Sequence, residues 1–106
     1  MDKKELQQQF HDCMPLFIAL GDEVRLTIIE ALTEDIPDGR GGLNVKEITE
    51  KTNLSRPAIS HHLKILKEAG LVRARKVGTA NYYYLTIRDS TKQLMDLGGG
   101  LEHFLE

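Results

Sequence analysis

The run from Ser55 to Val72, SRPAISHHLKILKEAGLV, constrains this chain more than any other segment. It reads as a capped helix with one apolar face, one polar and basic face, and a sharp stop. Placing Arg56 at zero and advancing roughly 100° per residue sorts the side chains into two groups. Ala58, Ile59, His62, Leu63, Ile65, Leu66 and Ala69 fall on one half of the wheel. Arg56, Pro57, Ser60, His61, Lys64, Lys67 and Glu68 fall on the other. A surface helix with a solvated polar face satisfies this pattern. So does a helix that lays Arg, Ser, His and Lys along the base edges and phosphates of a major groove. The flanking segments decide between the two.

A chain of 106 residues, 41% hydrophobic and 28% charged, fits a single globular domain. No apolar run is long enough to cross a bilayer, and the N-terminus shows no signal-peptide core, so a cytoplasmic location is expected. The single cysteine, Cys13, excludes an intrachain disulfide. A net charge of −2 argues against nucleic-acid binding until its distribution is read. Residues 1–50 carry 5 Lys/Arg against 11 Asp/Glu, whereas residues 51–88 carry 8 against Glu68 alone. Residues 89–106 return to acid, with Lys92 against four carboxylates. One basic third between two acidic thirds is the footprint of a DNA-reading surface on an acidic body.

The elements around the basic helix can be read from caps and spacing. Leu6, Phe10, Cys13 and Met14 recur at helical intervals, and Pro15 is expected to kink that helix or start a new turn. Leu16-Phe17-Ile18-Ala19-Leu20 is apolar on nearly every side, which suggests burial against something extra, such as a second subunit. Asp22 caps a second helix with Val24, Ile28, Ile29 and Leu32 inward. Pro37-Asp38-Gly39 and Gly41-Gly42 mark a loop over Thr33–Gly42. Asn44 and Glu47 form a capping-box pattern opening a short helix with Val45, Ile48 and Thr52 inward. Asn53-Leu54 turns, Ser55 caps the basic helix, Pro57 sits harmlessly in its first turn, and Gly70 ends it. Two short helices joined this way make a helix-turn-helix over residues 44–69. Strand-forming residues on either side of Gly78-Thr79-Ala80 then predict a hairpin over 72–86. A last helix, 89–105, capped by Asp89 or Ser90, carries Leu94, Met95, Leu97, Leu101, Phe104 and Leu105. Gly98-Gly99-Gly100 is expected to interrupt it, or to allow a close helix–helix approach.

The resulting fold class is mainly α with a small two-stranded β wing, a single domain over residues 1–106. From about Leu16 to Leu85 the chain resembles the ArsR/SmtB family of small bacterial repressors. The resemblance is carried by FIALGDEVRL (17–26), LSRPAISHHLKIL (54–66), AGLV (69–72) and YYL (83–85). It implies a homodimer formed through the first and last helices, 3–20 and 89–105. It also implies a double-stranded DNA partner with a palindromic operator. Each recognition helix would enter a major groove at one half-site. Arg56, Pro57, Ser60 and His61 match base-facing positions, with Lys64 nearer the backbone. Arg75 and Lys76 on the wing would meet phosphate, and Thr79 stands at the tip where many relatives carry an Arg. His62, on the apolar arc, reads as a core histidine rather than a ligand.

Family members often release DNA on binding metal, and here the ligand sets are incomplete. Residues 45–51 contain no Cys. His103 and Glu106 share a helical face, but the matching early positions fall near Ser90 and Lys92, with Asp89 one residue out of register. Neighbouring helical residues diverge, so His11, Asp12 and Cys13 would need further partners. Cys13 could instead pair with its copy across a dimer. The expectation is therefore no cofactor, no metal and an unidentified effector. No nucleophile triad, phosphate loop or paired carboxylate points to an enzyme. The alternative to DNA binding is a winged helix acting as a protein-interaction module, its basic face meeting an acidic partner.

Overall fold

The computed structural model describes residues 2–34, 41–86 and 88–105, with the side chains of Arg88 and Asp89 left aside. Its elements in chain order are α1 (Lys3–Leu20), α2 (Glu23–Thr33), α3 (Val45–Thr52), α4 (Arg56–Glu68), β1 (Val72–Val77), β2 (Ala80–Leu85) and α5 (Arg88–Leu105). This is a mainly α fold with a two-stranded antiparallel wing, as the sequence predicts. The expectations placed on Pro37-Asp38-Gly39, the Asp89 side chain and Glu106 lie outside the described residues.

Local capping explains where most helices start. Asp22 accepts from the backbone N–H groups of Val24 and Arg25 at 2.8 and 3.2 Å. Asn44 and Glu47 close a full capping box, each side chain bonding the other's backbone N–H. Ser55 accepts from Ala58 N–H at the start of α4. At its end, Leu71 N–H reaches back to the Leu66 carbonyl and Gly70 N–H to that of Lys67. With Gly70 at φ 78°, this is a Schellman stop.

The core joins α1–α4 and the base of the wing. Ile28 and Leu32 of α2 meet Ile48 of α3, Ile59, Leu63 and Leu66 of α4, and Val72 at the wing's start. Leu16 and Ala19 close it from the C-terminal half of α1. The sheet register runs from Val72↔Leu85 to Val77↔Ala80, so the turn is Gly78-Thr79 and Ala80 already belongs to β2. Gly78, at φ 63°, supplies the positive φ that a two-residue hairpin turn demands.

Four features depart from the expectations or add to them. Pro15 starts no new element, since α1 is one helix that contains it. An internal proline costs a helix about 3 kcal/mol. Burial of Cys13, Leu16 and Ala19 along one face, to 3% exposure or less, offsets that cost. The Gly98-Gly99-Gly100 triplet likewise does not interrupt α5. Neither does α5 begin at Asp89 or Ser90; it starts at Arg88, with Ser90 buried inside its first turn. Finally, the wing has an extra edge: Leu43 bridges Tyr83 with N–H···O distances of 2.9 and 2.8 Å in the two directions. Gly42, at φ 101°, is the residue that permits this, because a Cβ there would collide with the Tyr83 carbonyl.

The last helix stands apart from the core. It packs chiefly on α1 and its buried Leu97 lies outside the main cluster. The Cα radius of gyration is 15.8 Å, against about 13 Å for a compact chain of this length, and the long axis is 49 Å. The α1–α5 pair therefore projects as an arm from the α2–α4 and wing body.

Candidate nucleic-acid interface

On α4 the division expected from the wheel is realised in space. Ile59, Leu63 and Leu66 are at most 1% exposed, while Arg56, Pro57, Ser60, His61, Lys64 and Lys67 are exposed. Alternation of the two residue classes at 3.6 per turn produces this, and the Ser55 cap and Gly70 stop fix its length. The exposed stripe carries three cations, a hydroxyl and an imidazole along one side of a 13-residue helix. Arg56 and Lys64 make no ion pair among the described residues. Their charges are available to an outside anion.

The two histidines separate as expected, with one refinement. His61 is exposed and lies edge-on to His62, ring centroids 5.1 Å apart. His62 is half-buried rather than sealed in the core, and its Nδ1 lies 3.3 Å from the Arg25 guanidinium. Arg25 also donates to the carbonyls of Ala19 (2.6 Å) and Ile18 (3.0 Å) at the end of α1. Its Nη1 stands 3.9 Å from the Asp22 carboxylate. One side chain thus ties the C-terminus of α1 and the cap of α2 to the middle of α4. The Arg25 backbone N–H holds the Asp22 carboxyl below the usual carboxylate range, with help from the Val24 N–H and the Arg25 charge. The sequence analysis assigned Arg25 no role; its signals were its place in the 17–26 motif and its being the one cation of α2, three residues after the Asp22 cap.

The wing is held to α4 by its own hydrogen bonds. Thr86 donates through its N–H to Leu71 and through its hydroxyl to Gly70. Arg73, Arg75, Lys76 and Thr79 are all exposed. The Arg75 guanidinium lies over Gly41, where any side chain would overlap it, so Arg75 is set toward the loop before α3. Lys76 and Thr79 stand nearer the turn.

No metal centre is assembled: among the described residues no three His, Cys, Asp or Glu side chains gather to hold an ion. His103 is exposed and packs edge-on against Phe104. Cys13 is 1% exposed with Sγ 3.8 Å from the Gln93 carbonyl, while His11 and Asp12 point to solvent. The Cys13 thiol faces α5 rather than the surface. No helix is long and apolar enough to cross a membrane among the described residues.

Comparison with known proteins agrees with this geometry. The profile of the family described as bacterial regulatory protein, arsR family, matches residues 22–74, from the α2 cap to the first half of the wing. An uncharacterised HTH-type transcriptional regulator of Methanocaldococcus jannaschii is 39% identical over 90 residues, covering 85% of this chain and 94% of that one. The transcriptional repressor SdpR of Bacillus subtilis is 32% identical over 84 residues, covering 76% and 87%. Among solved structures, the transcriptional regulator HlyU of Vibrio vulnificus superposes with a TM-score of 0.72 at 30% identity, covering 93% and 97%.

Proposed function

The chain belongs to the arsR family of bacterial regulatory proteins, a family of DNA-binding transcriptional regulators and not of enzymes, and from that premise we propose that it is a dimeric repressor. Its α4 helices would read an imperfect palindrome in successive major grooves, one or two helical turns apart. The observation that carries this reading is the exposed stripe Arg56, Pro57, Ser60, His61 and Lys64 on a helix whose opposite face is sealed in the core. Arg56 reaches a base edge, with guanine O6 and N7 its best partner. Ser60 and His61 approach neighbouring bases, and Lys64 meets the backbone. Arg75, Lys76 and Thr79 follow the flanking phosphates from the wing. With Gly78-Thr79 at the turn, there is no tip Arg to enter a minor groove.

The dimer reading rests on apolar exposure. Phe10, Met14 and Ile18 recur every four residues along α1 and are 39%, 48% and 64% exposed. Met95 and Leu105 on α5 reach 70% and 82%. Beside them an apolar groove of about 470 Å³ opens between Met14, Ile18, Ile65 and Ala69. A second copy covering these residues would bring two α4 helices into one assembly. The effector that releases DNA is unidentified.

The test is direct binding to a palindromic duplex selected from random sequence. Arg56→Ala and His61→Ala should each weaken binding at moderate salt. Binding left unchanged by both would remove α4 as the reading element. Capture of an acidic protein in place of DNA would turn the wing and α4 into a protein-interaction module.

A further inference from the structure

We propose that the cleft between the starts of α3 and α4 and the wing turn seats one phosphodiester of duplex DNA, with Lys46 as its principal cation. This rests on the DNA-binding reading above and adds Lys46, Asn44 and Asn81, which that reading does not use. The cleft encloses about 360 Å³. That is space for roughly a dozen waters, so it admits a phosphate with part of its flanking sugars rather than one small ion. Its charged lining residues are Lys46 and Arg56, and Asn44, Thr79 and Asn81 add neutral polar groups. Among the described residues neither cation makes an ion pair. Glu47 shares the first turn of α3, but its carboxylate is engaged by the Asn44 N–H at 3.1 Å. The cleft is therefore cationic, polar and open, which favours an anion with several acceptor oxygens.

The walls are placed in advance of any ligand. The paired Leu43–Tyr83 backbone bonds pin the residue just before the α3 cap to the middle of β2. The Asn44–Glu47 capping box fixes the first turn of α3, and Ser55 fixes that of α4, which carries Arg56. Only the Lys46 side chain needs ordering when a phosphate arrives, while Arg56 at the rim stays directed to a base edge. Thr79 of the wing turn and Asn81 at the start of β2 contribute neutral groups suited to backbone oxygens. In this chain the wing turn positions the duplex through its backbone, where an Arg at the tip would have read the minor groove.

The experiment compares the full chain with Lys46→Gln, and with Lys4→Gln as a control that removes the same charge from α1. Affinity for the selected palindrome and for an unrelated duplex is measured across a salt series. One lost phosphate contact lowers the log–log salt slope by about 0.9. Between roughly 50 and 200 mM salt, the affinity drop of Lys46→Gln should then be about 3.5-fold smaller than that of the unaltered chain. The loss should be similar on both duplexes, and Lys4→Gln should leave the slope in place. An unchanged slope, or a loss confined to the palindrome, overturns the phosphate seat while Arg56→Ala still reports on the α4 reading. Failure of the unaltered chain to bind either duplex overturns both. A calorimetric titration with inorganic phosphate alone should show no saturable binding. Tight uptake that Lys46→Gln abolishes would make this a free-anion site instead.

Discussion

The body formed by α2–α4 and the wing differs sharply from the arm formed by α1 and α5. In the body, helix ends are capped, the turn after α4 is closed by two backbone bonds, and large apolar side chains are sealed. What it shows to solvent is mainly polar and charged, with Leu26 and Val77 as separate apolar exceptions at 48% and 52% exposure. The arm shows Phe10, Met14, Ile18, Met95 and Leu105, and buries a Gln9 amide oxygen without a partner among the described residues. Buried acceptors are rarely left unpaired, and contiguous exposed apolar side chains mark contact surfaces. The core of the body closes within one chain, whereas the arm leaves an apolar surface that the proposed second copy would cover. A repressor that reads two half-sites needs both conditions, a finished reading head and an unfinished surface that joins two heads.

The largest effect should come from emptying the body. Leu63→Ala removes a side chain 1% exposed at the centre of the core and should cost about 2–5 kcal/mol, read from urea unfolding. A smaller loss would mean that the head is less tightly packed than its burial implies. The arm should respond differently. Ile18→Glu should leave far-ultraviolet circular dichroism intact, because the side chain is 64% exposed. Sedimentation equilibrium should nevertheless shift from twice the 12.0 kDa chain mass to a single copy. A dimer that survives this change would place the interface elsewhere. The smallest effect concerns α5. Gly99→Ala meets open space on an unbroken helix and should stabilise the chain by up to about 1 kcal/mol. Destabilisation would show that the glycine face lies against a second copy, where a methyl does not fit.

The same contrast explains what could be read from residues alone. Caps at Asp22, Asn44 and Ser55 and the stop at Gly70 act within a few residues, so local pattern found them. The two faces of α4 follow from helical periodicity, and both proved correct in burial. Longer-range contacts were hidden. Arg25 meets His62 from 37 residues away, and Leu43 meets Tyr83 from 40, with only Gly41-Gly42 as a local trace. At Pro15 and the Gly98–Gly100 triplet local propensity opposes a helix, and packing between α1 and α5 sustains it. The cleft containing Lys46 and Asn81 depends on three segments that adjoin only once the Leu43 bridge forms.

The central claim, that α4 reads bases, is tested most directly by pairing Arg56→Ala with single-base variants of the selected palindrome. The expected result is a loss of discrimination worth about 1–3 kcal/mol at one symmetry-related pair of positions, with selectivity elsewhere retained. An equal loss of affinity for every variant, with discrimination intact at all positions, would contradict it and reduce Arg56 to a backbone contact.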